Sequence, residues 1–504
     1  MSNYKNVLNI ASNYGNKFFS LISVFIFIPL YIKYLGIESY AVIGFYSLLL
    51  GIISFADSGL SSAIIKEFAS TENSQYKYSI LRLIEQRYLL ICISVTVIIF
   101  LCSPLIAQEW LTSETIPKND LIYFLRLIGL GISLQLLSSL YFGSIFGLGF
   151  QVEANLLQII WNILKSFVVV VGLIFIDNNL EVFFIWQIVC NLIYILALRY
   201  RVIHHLKDYG LILFVIIKKI PKSILNYVGG MVLIAIISAI NSQADKIVTS
   251  SFFSLRIFGY YTVASTIAQI PVILAMPLTI SLFPIVSQIV AKSDIKELKI
   301  IFVKSTFILN SLIFMAMFAL FFYTKELISL WTTNSVEVSF LPEVIRSAKF
   351  LIIGSSMLAL QLMFFYILLS FGKTKYNVIQ GIVQILIGVP TLYFFVNKIG
   401  MSGGGISWIL INLGGLVYLF IIVTRKFVKL NMLNYIYNNY ISPFIISLLV
   451  FVLFFYVYKM LSINFILIII ISSFFSILLN LMYYNIRNKL PLFNYKNIIN
   501  LYYN

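Results

Sequence analysis

The sequence predicts an all-α polytopic membrane protein of about 14 transmembrane helices, arranged as two pseudo-repeated six-helix bundles plus two C-terminal helices. Three observations lead there. Of the 504 residues 61% are hydrophobic and only 11% charged, with a mean hydropathy of +0.99, and no water-soluble arrangement covers that much apolar surface. Apolar runs of the roughly 20 residues that cross a bilayer recur along the chain. Examples are Tyr88 to Ala107, Leu156 to Ile176 and Ile463 to Leu481. Polar patterns of the first half also return in the second at a nearly constant offset.

In chain order, spans are expected near 14–34, 40–64, 88–107, 121–146, 155–176, 182–199, 226–253, 258–290, 303–323, 346–371, 377–397, 404–424, 441–459 and 463–484. The first run is longer than the core of a cleavable signal peptide, and no small-residue cleavage site follows Tyr34, so it reads as a retained span. The longest connection, Arg199 to Lys222, carries the apolar stretch Leu211 to Ile217 between basic clusters, a pattern suited to a helix lying at the interface. It is expected to join the halves. The resulting division is 1–205, a cytoplasmic linker 206–222, a second bundle 223–430, and 431–504 with two extra helices and a tail.

The repeat shows in particular residues. Asn155, Gln158 and Asn162 open span five as Asn377, Gln380 and Gln384 open span eleven, at an offset of 222. At an offset of 218, Ser20 and Ser23 of span one fall over Ser238 and Asn241 of span seven.

A net charge of +17 would point to nucleic acid in a soluble protein. Its placement gives it another meaning. With the N-terminus cytoplasmic, about 23 basic residues fall in cytoplasmic segments against about 6 in the opposite loops. That is the positive-inside bias, with both termini cytoplasmic and no nucleic-acid partner. Cys92, Cys102 and Cys190 stand alone within apolar runs, as small buried residues do, and imply neither a disulfide framework nor a metal. No cofactor is expected, and no residue is assigned a catalytic role.

Residues three and four apart share a helix face, so polar residues at that spacing draw a stripe turned away from lipid. Span one carries Asn9, Asn13, Asn16, Ser20 and Ser23, with Lys17 at the edge. Span five carries Gln151, Asn155, Gln158, Asn162, Lys165 and Ser166. Span seven has Ser238, Asn241, Ser242, Asp245 and Thr249, and span eleven Asn377, Gln380, Gln384, Gly388 and Thr391. Such stripes either bind helices to one another or line a hydrated path. Lys165 favours the path. It stands about twelve residues from both Glu153 and Asp177, near mid-bilayer, where an unpaired charge costs on the order of 2.5–3.5 kcal/mol. A structural ion pair is the alternative. Asp57, Asp245 and Lys246 are candidate coupling or counter-ion residues, while Arg126, Arg346 and Lys349 begin their spans and can snorkel outward. The surplus of intramembrane positive charge favours an anionic cargo.

Several segments resemble the multidrug/oligosaccharidyl-lipid/polysaccharide exporters, and within them the Wzx-type O-antigen and polysaccharide flippases. They are Ile28-Pro29-Leu30-Tyr31, Tyr34-Leu35-Gly36-Ile37-Glu38-Ser39-Tyr40, Asp57-Ser58-Gly59-Leu60, Ala244-Asp245-Lys246, Phe258-Gly259-Tyr260-Tyr261-Thr262, and the prolines Pro271, Pro277 and Pro284. Position 41 is Ala where the family usually has Gly. The resemblance covers most of residues 10–425 and implies two six-helix bundles around a cavity of alternating access. It also implies a polyprenyl-diphosphate-linked glycan as cargo, with membrane lipids and polysaccharide polymerases as partners. The substrate-binding residues expected on this basis are Lys165, Asn162, Gln158, Asn155, Asn16, Lys17, Asn241, Asn377, Gln380 and Gln384. Sugars need amide and hydroxyl partners, and a diphosphate needs Lys or Arg.

Two other readings were open. An integral O-antigen polymerase or glycosyltransferase should present catalytic groups in sizeable loops, but the longest outer loops span only about twenty residues, and His204 and His205 lie in the basic cytoplasmic connection, where solvation is expected. A drug/cation antiporter of the same superfamily should favour acidic cavity residues. An ATP-driven pump is excluded, because Ile367 stands where the phosphate-binding loop ending in Gly372-Lys373-Thr374 needs its first glycine.

Overall fold

The structure is a computed structural model that describes residues 2–70, 73–207, 222–332, 336–461 and 463–488. The expected interfacial segment Leu211 to Ile217 and the side chains of Asn9, Lys17 and Asp57 lie outside the described residues.

All fourteen expected spans are helical. In lipid every backbone N–H and C=O must be satisfied within the segment, and a helix does this without help from a neighbour. Eleven helices among the described residues are long and apolar enough to cross a membrane. The protein is therefore a multi-pass membrane protein. Helices α1 (Ser2–Leu35), α2 (Ile37–Ser70) and α8 (Lys222–Phe252) each include side chains outside the described set, and the described parts of the first two give shorter apolar helices, Ile22–Leu35 and Ile37–Ile53.

The chain divides into two compact units, Met1–Thr262 with Trp331–Ser335, and Val263–Leu330 with Val336–Asn504. Between α2 and α8 the first unit contains α3 (Ser74–Leu105), α4 (Lys118–Gly147), α5 (Gln151–Ile163), α6 (Val169–Phe175) and α7 (Leu180–Lys207). Here α2 packs on α8 and α4, α4 on α3 and α7, and α1 on α5. Phe45, Tyr88, Tyr141 and Phe184 fill the interior, while Leu101 and Phe175 are exposed, which suits a lipid-facing surface.

Expected span eight is broken into α9 (Leu255–Ala268) and α10 (Ile270–Ala291) at Gln269. Pro271 causes the break: it has no N–H for the carbonyl one turn earlier, and its ring crowds that carbonyl. The remaining helices are α11 (Ile295–Phe322), α12 (Thr324–Trp331), α13 (Leu341–Ser370), α14 (Lys375–Ile399), α15 (Met401–Ile422), α16 (Met432–Ile436), α17 (Ser442–Leu461) and α18 (Phe465–Asn488). Within the second unit α13 packs on α10, α11 and α15, α14 leans on α15, and the appended α17 and α18 pack on α11. Helix α12 lies in what reads from sequence as an outer loop.

Wide π turns interrupt or end several helices, at Ile106–Trp110, Leu164–Val168, Val423–Phe427 and Tyr437–Ile441. The second of these contains Lys165.

Candidate functional site

In the first unit the polar stripes of α1 and α5 meet. Asn16 Nδ2 donates to Asn155 Oδ1 at 3.0 Å and also to Gln158 Oε1. Asn155 Nδ2 donates to Ser12 Oγ at 3.0 Å and to Asn13 Oδ1, while Asn13 Nδ2 reaches Gln151 Oε1 at 3.5 Å. Higher on the seam, Asn162 Nδ2 donates to Ser20 Oγ at 3.0 Å, and Ser23 Oγ to Ser166 Oγ at 3.3 Å. About three turns of α1 are zipped to α5 and the π turn after it by side chains at three- and four-residue spacing, the geometry that membrane helices use to bind each other. Asn155 and Asn16 are buried.

Lys165 sits beside this seam on the π turn. A π turn widens the helix and leaves carbonyls without the usual partner. Side chains of α7 take them up: Trp186 Nε1 donates to Leu164 O at 2.9 Å and Gln187 Nε2 to Lys165 O at 3.3 Å. The ammonium lies 4.7 Å from the centre of the Trp161 ring and 5.8 Å from that of Tyr46. These rings are fixed in turn, since Trp161 Nε1 donates to Asn191 Oδ1 at 3.1 Å and Tyr46 OH to Gln135 Oε1 at 2.8 Å. Among the described residues no carboxylate forms an ion pair with Lys165. Cation–π contacts partly compensate a desolvated ammonium, by about 2 kcal/mol, but leave its charge free to meet an anion.

Helix α8 carries the next predicted set. Asp245 is buried and accepts from Tyr261 OH at 2.9 Å, while its Oδ1 has no hydrogen-bond partner among the described residues. Lys246 and Asn241 are half-buried on the same helix. Tyr261 belongs to the segment Phe258 to Thr262, and Gly259 beside it allows a close backbone approach: a Cβ there would meet Ile37 O at 2.7 Å. Gly36, at φ +82°, turns α1 into α2. The motif residues thus shape the fold.

In the second unit the α14 stripe faces α13 and α15. Asn377 Nδ2 donates to Phe365 O at 3.3 Å, Gln380 Nε2 to Gln361 Oε1 at 2.5 Å, and Gln384 Nε2 to Ile411 O at 3.3 Å. Gln361 is itself buried and donates to Asn412 O at 3.0 Å. Beside these amides a cleft of about 130 Å³ opens between α14 and α15, lined by Gln380, Gln384, Gly388, Thr391, Gly414 and Tyr418 among others.

Some polar groups escaped the sequence reading. His205, expected to be solvated, is buried: its ring stacks on Phe150 at 3.7 Å and its Nε2 lies 2.8 Å from Glu153 Oε2, where Arg201 also pairs. The reason is that α7 continues to Lys207 and carries His205 back over the start of α5. Glu85 joins Arg199 at 2.8 Å, Arg82 at 3.3 Å and the hydroxyl of Tyr141. Only the Arg82–Glu85 spacing could have signalled that cluster. Glu38, between the first two spans, accepts from Ser113 Oγ at 3.0 Å, Glu114 N at 3.2 Å, Thr115 N at 2.9 Å and Thr115 Oγ1. Burial acts to raise this carboxyl, but the four donors outweigh it and hold it below its ordinary value.

Fold and site together define a multi-pass helical membrane protein with polar side chains gathered inside its spans. The chain belongs to the polysaccharide biosynthesis protein family, whose model matches residues 7–290, in agreement with the resemblance read from its motifs. No curated protein matches the sequence. Among solved structures it is similar to the lipid II flippase MurJ in an inward closed conformation, with a TM-score of 0.71 and 15% identity over 96% of this chain and 99% of that one. It is similar to an inward-facing multidrug resistance MATE family transporter of the MOP superfamily, with a TM-score of 0.66 and 14% identity over 81% and 95% of the two chains. A MOP superfamily transporter from Pyrococcus furiosus, described as having a binding pocket of reverse polarity, gives a TM-score of 0.57 and 14% identity over 85% and 94%. At such identities the likeness establishes the fold.

Proposed function

We propose that this protein is a flippase that moves a polyprenyl-diphosphate-linked glycan, an O-antigen or capsular repeat unit, from the cytoplasmic to the periplasmic leaflet of a bacterial inner membrane by alternating access. The supporting observation is Lys165: an ammonium within a membrane-spanning helix, walled by Trp161 and Tyr46, with no carboxylate paired to it among the described residues. A desolvated cation in that position is costly unless an anion visits it, and a diphosphate supplies one. Beside it Asn16 bonds Asn155 and Gln158, and Asn162 bonds the Ser20 hydroxyl; these amides are groups that sugar hydroxyls can take over. Asn241, Asn377, Gln380 and Gln384 are proposed as further contacts, with Lys17, Asp57, Asp245 and Lys246 as supporting charges. Membership of a polysaccharide biosynthesis family and the fold shared with a lipid II flippase support the same reading.

No bond is made or broken in such a step. Moving one uncompensated negative charge outward across a membrane that is negative inside gains about 2.3 kcal/mol per 100 mV, so the potential can assist export. Partners are the membrane lipids and the polymerase that consumes the exported repeat unit.

Deleting the gene and extracting lipid-linked intermediates tests the proposal. Accumulation of a single-repeat polyprenyl-diphosphate glycan on the cytoplasmic side is expected, and an unchanged lipid pool contradicts it. Topology is tested separately: a phosphatase reporter fused after Lys489 should be inactive, because both termini are proposed to be cytoplasmic.

A further inference from the structure

Acidic residues are unevenly distributed along the chain. No Asp or Glu follows Glu343, whereas twelve Lys and Arg do. Five of those cations, Lys373, Lys375, Arg425, Lys426 and Lys429, are exposed at one end of the α14–α15 pair. By the positive-inside asymmetry that end faces the cytoplasm. The last 161 residues hold no carboxylate that could neutralise them.

The cations share this end with a group of rings. Lys426 Nζ lies 5.4 Å from the centre of the Tyr376 ring, Phe427 is 5.9 Å from Tyr376, and Phe371 is 5.0 Å from Phe427. The π turn Val423–Phe427, which ends α15, carries Arg425, Lys426 and Phe427. Tyr376 then begins a stripe on α14 at four-residue spacing, Tyr376, Gln380, Gln384 and Gly388, and its last three members line the α14–α15 cleft. On α15, Arg425 follows the lining residue Tyr418 by two turns. Tyr376 and Tyr418 are near enough to interact electrostatically. One continuous surface therefore runs from a basic, aromatic mouth, past two amides, into a slot walled by Val383, Ile387, Leu410 and Ile411. From Tyr376 to Thr391 it extends about 22 Å at the rise of an α-helix.

Cation, amide and hydrocarbon in that order match the order of groups in a membrane lipid. Positive-inside bias alone explains a scatter of basic residues; it does not align them with an apolar slot. We infer that the cleft between α14 and α15 binds an anionic phospholipid of the cytoplasmic leaflet. Its phosphate meets Lys375, Arg425 and Lys426, its ester region meets Gln380 and Gln384, and an acyl chain lies along Gly388 and Gly414. The aromatic rim, like the interfacial rings of other membrane proteins, marks the headgroup level. Gly414 borders open space: among the described residues a Cβ there would meet nothing within 4 Å. This inference does not depend on the identity of the transported cargo, but where it holds Gln380 and Gln384 serve the phospholipid and leave the set of proposed cargo contacts.

Native mass spectrometry of the purified full-length protein, titrated with phosphatidylglycerol or phosphatidylcholine, tests it. Phosphatidylglycerol should be retained at least about tenfold more tightly than phosphatidylcholine, because the choline cation beside the phosphate of the latter is repelled by the Lys and Arg cluster. The triple change Lys375→Gln, Arg425→Gln, Lys426→Gln should remove that preference, whereas Lys292→Gln, Lys296→Gln, Lys299→Gln, equal in charge but outside the cleft, should keep it. Gly414→Phe, which fills the slot, should displace the lipid; if that variant is not monodisperse, Leu410→Trp occupies the same space. Equal loss in the two triple variants, equal retention of the two lipids, or retention unaffected by filling the slot would each overturn the inference. Displacement of phosphatidylglycerol by an equimolar polyprenyl diphosphate would also overturn it and assign the cleft to the cargo.

Discussion

The seam between α1 and α5 and the cleft between α14 and α15 begin from the same pattern, amide side chains three and four residues apart, yet one is closed and the other open. On the seam, α1 offers Ser12, Asn13, Asn16 and Ser20, and each finds a partner on α5. Opposite Gln380 and Gln384, α15 offers Ile411, Gly414 and Gly415, which supply a carbonyl and space but no polar side chain. Gln380 turns inward to Gln361 and Gln384 to the Ile411 carbonyl, and a cavity is left beside them. A polar stripe specifies that a face avoids lipid; the composition of the opposing helix decides whether it ends against protein or against a void.

Substitutions can break or sharpen this contrast. The largest effect is expected at Gly415, where a Cβ would stand 2.5 Å from Gln384 Nε2 and 2.6 Å from Gln361 Oε1. Gly415→Leu should lower stability in detergent by about 2 kcal/mol, because the Gln side-chain ends it meets can move aside only by giving up their amide bonds. The neighbouring Gly414→Leu should stay within about 0.5 kcal/mol of the parent. A thermal-shift assay on the two variants separates them, and similar losses would mean that the cleft is not open.

A smaller difference is expected between the stripes themselves. Asn155→Leu strips partners from Asn16, Asn13 and Ser12 and should cost about 1–2 kcal/mol. Gln384→Leu removes one long bond beside a cavity and should cost less than about 0.6 kcal/mol. Equal costs, read from the same melting curves, would erase the distinction between seam and cleft. Least in energy, but direct in geometry, is accessibility. In a background lacking Cys92, Cys102 and Cys190, a cysteine at position 384 should react with a small hydrophilic thiol reagent faster than one at 155, because Asn155 is buried in the seam. The reverse order would show that the seam spends most of its time open.

Much of the fold could be read in the sequence, because bilayer-length apolar runs and helix-interrupting prolines are local signals. The break before α10 follows from Pro271, although where the helix restarts depends on packing. The stripes were visible, but their destinations were not: nothing within α5 states that Asn155 meets Asn16 rather than water. Gln361 and Asn412 went unnoticed as isolated amides within apolar spans, and the three-residue contact of His205 with Glu153 and Phe150 joins segments about fifty residues apart. Lys165 is the converse case. Its unusual position was plain from the sequence, while the π turn beneath it and the rings of Trp161 and Tyr46 around it required three-dimensional structure.

Lys165 also carries the test of the central claim. Surface glycan, protein abundance and membrane insertion should be measured together in Lys165→Ala and Lys165→Arg. If the ammonium receives the anionic group of the cargo, Ala abolishes surface glycan at normal protein abundance, and Arg retains more export than Ala because the charge persists. Normal export by Lys165→Ala at normal abundance would contradict the account and remove this residue from the transport path.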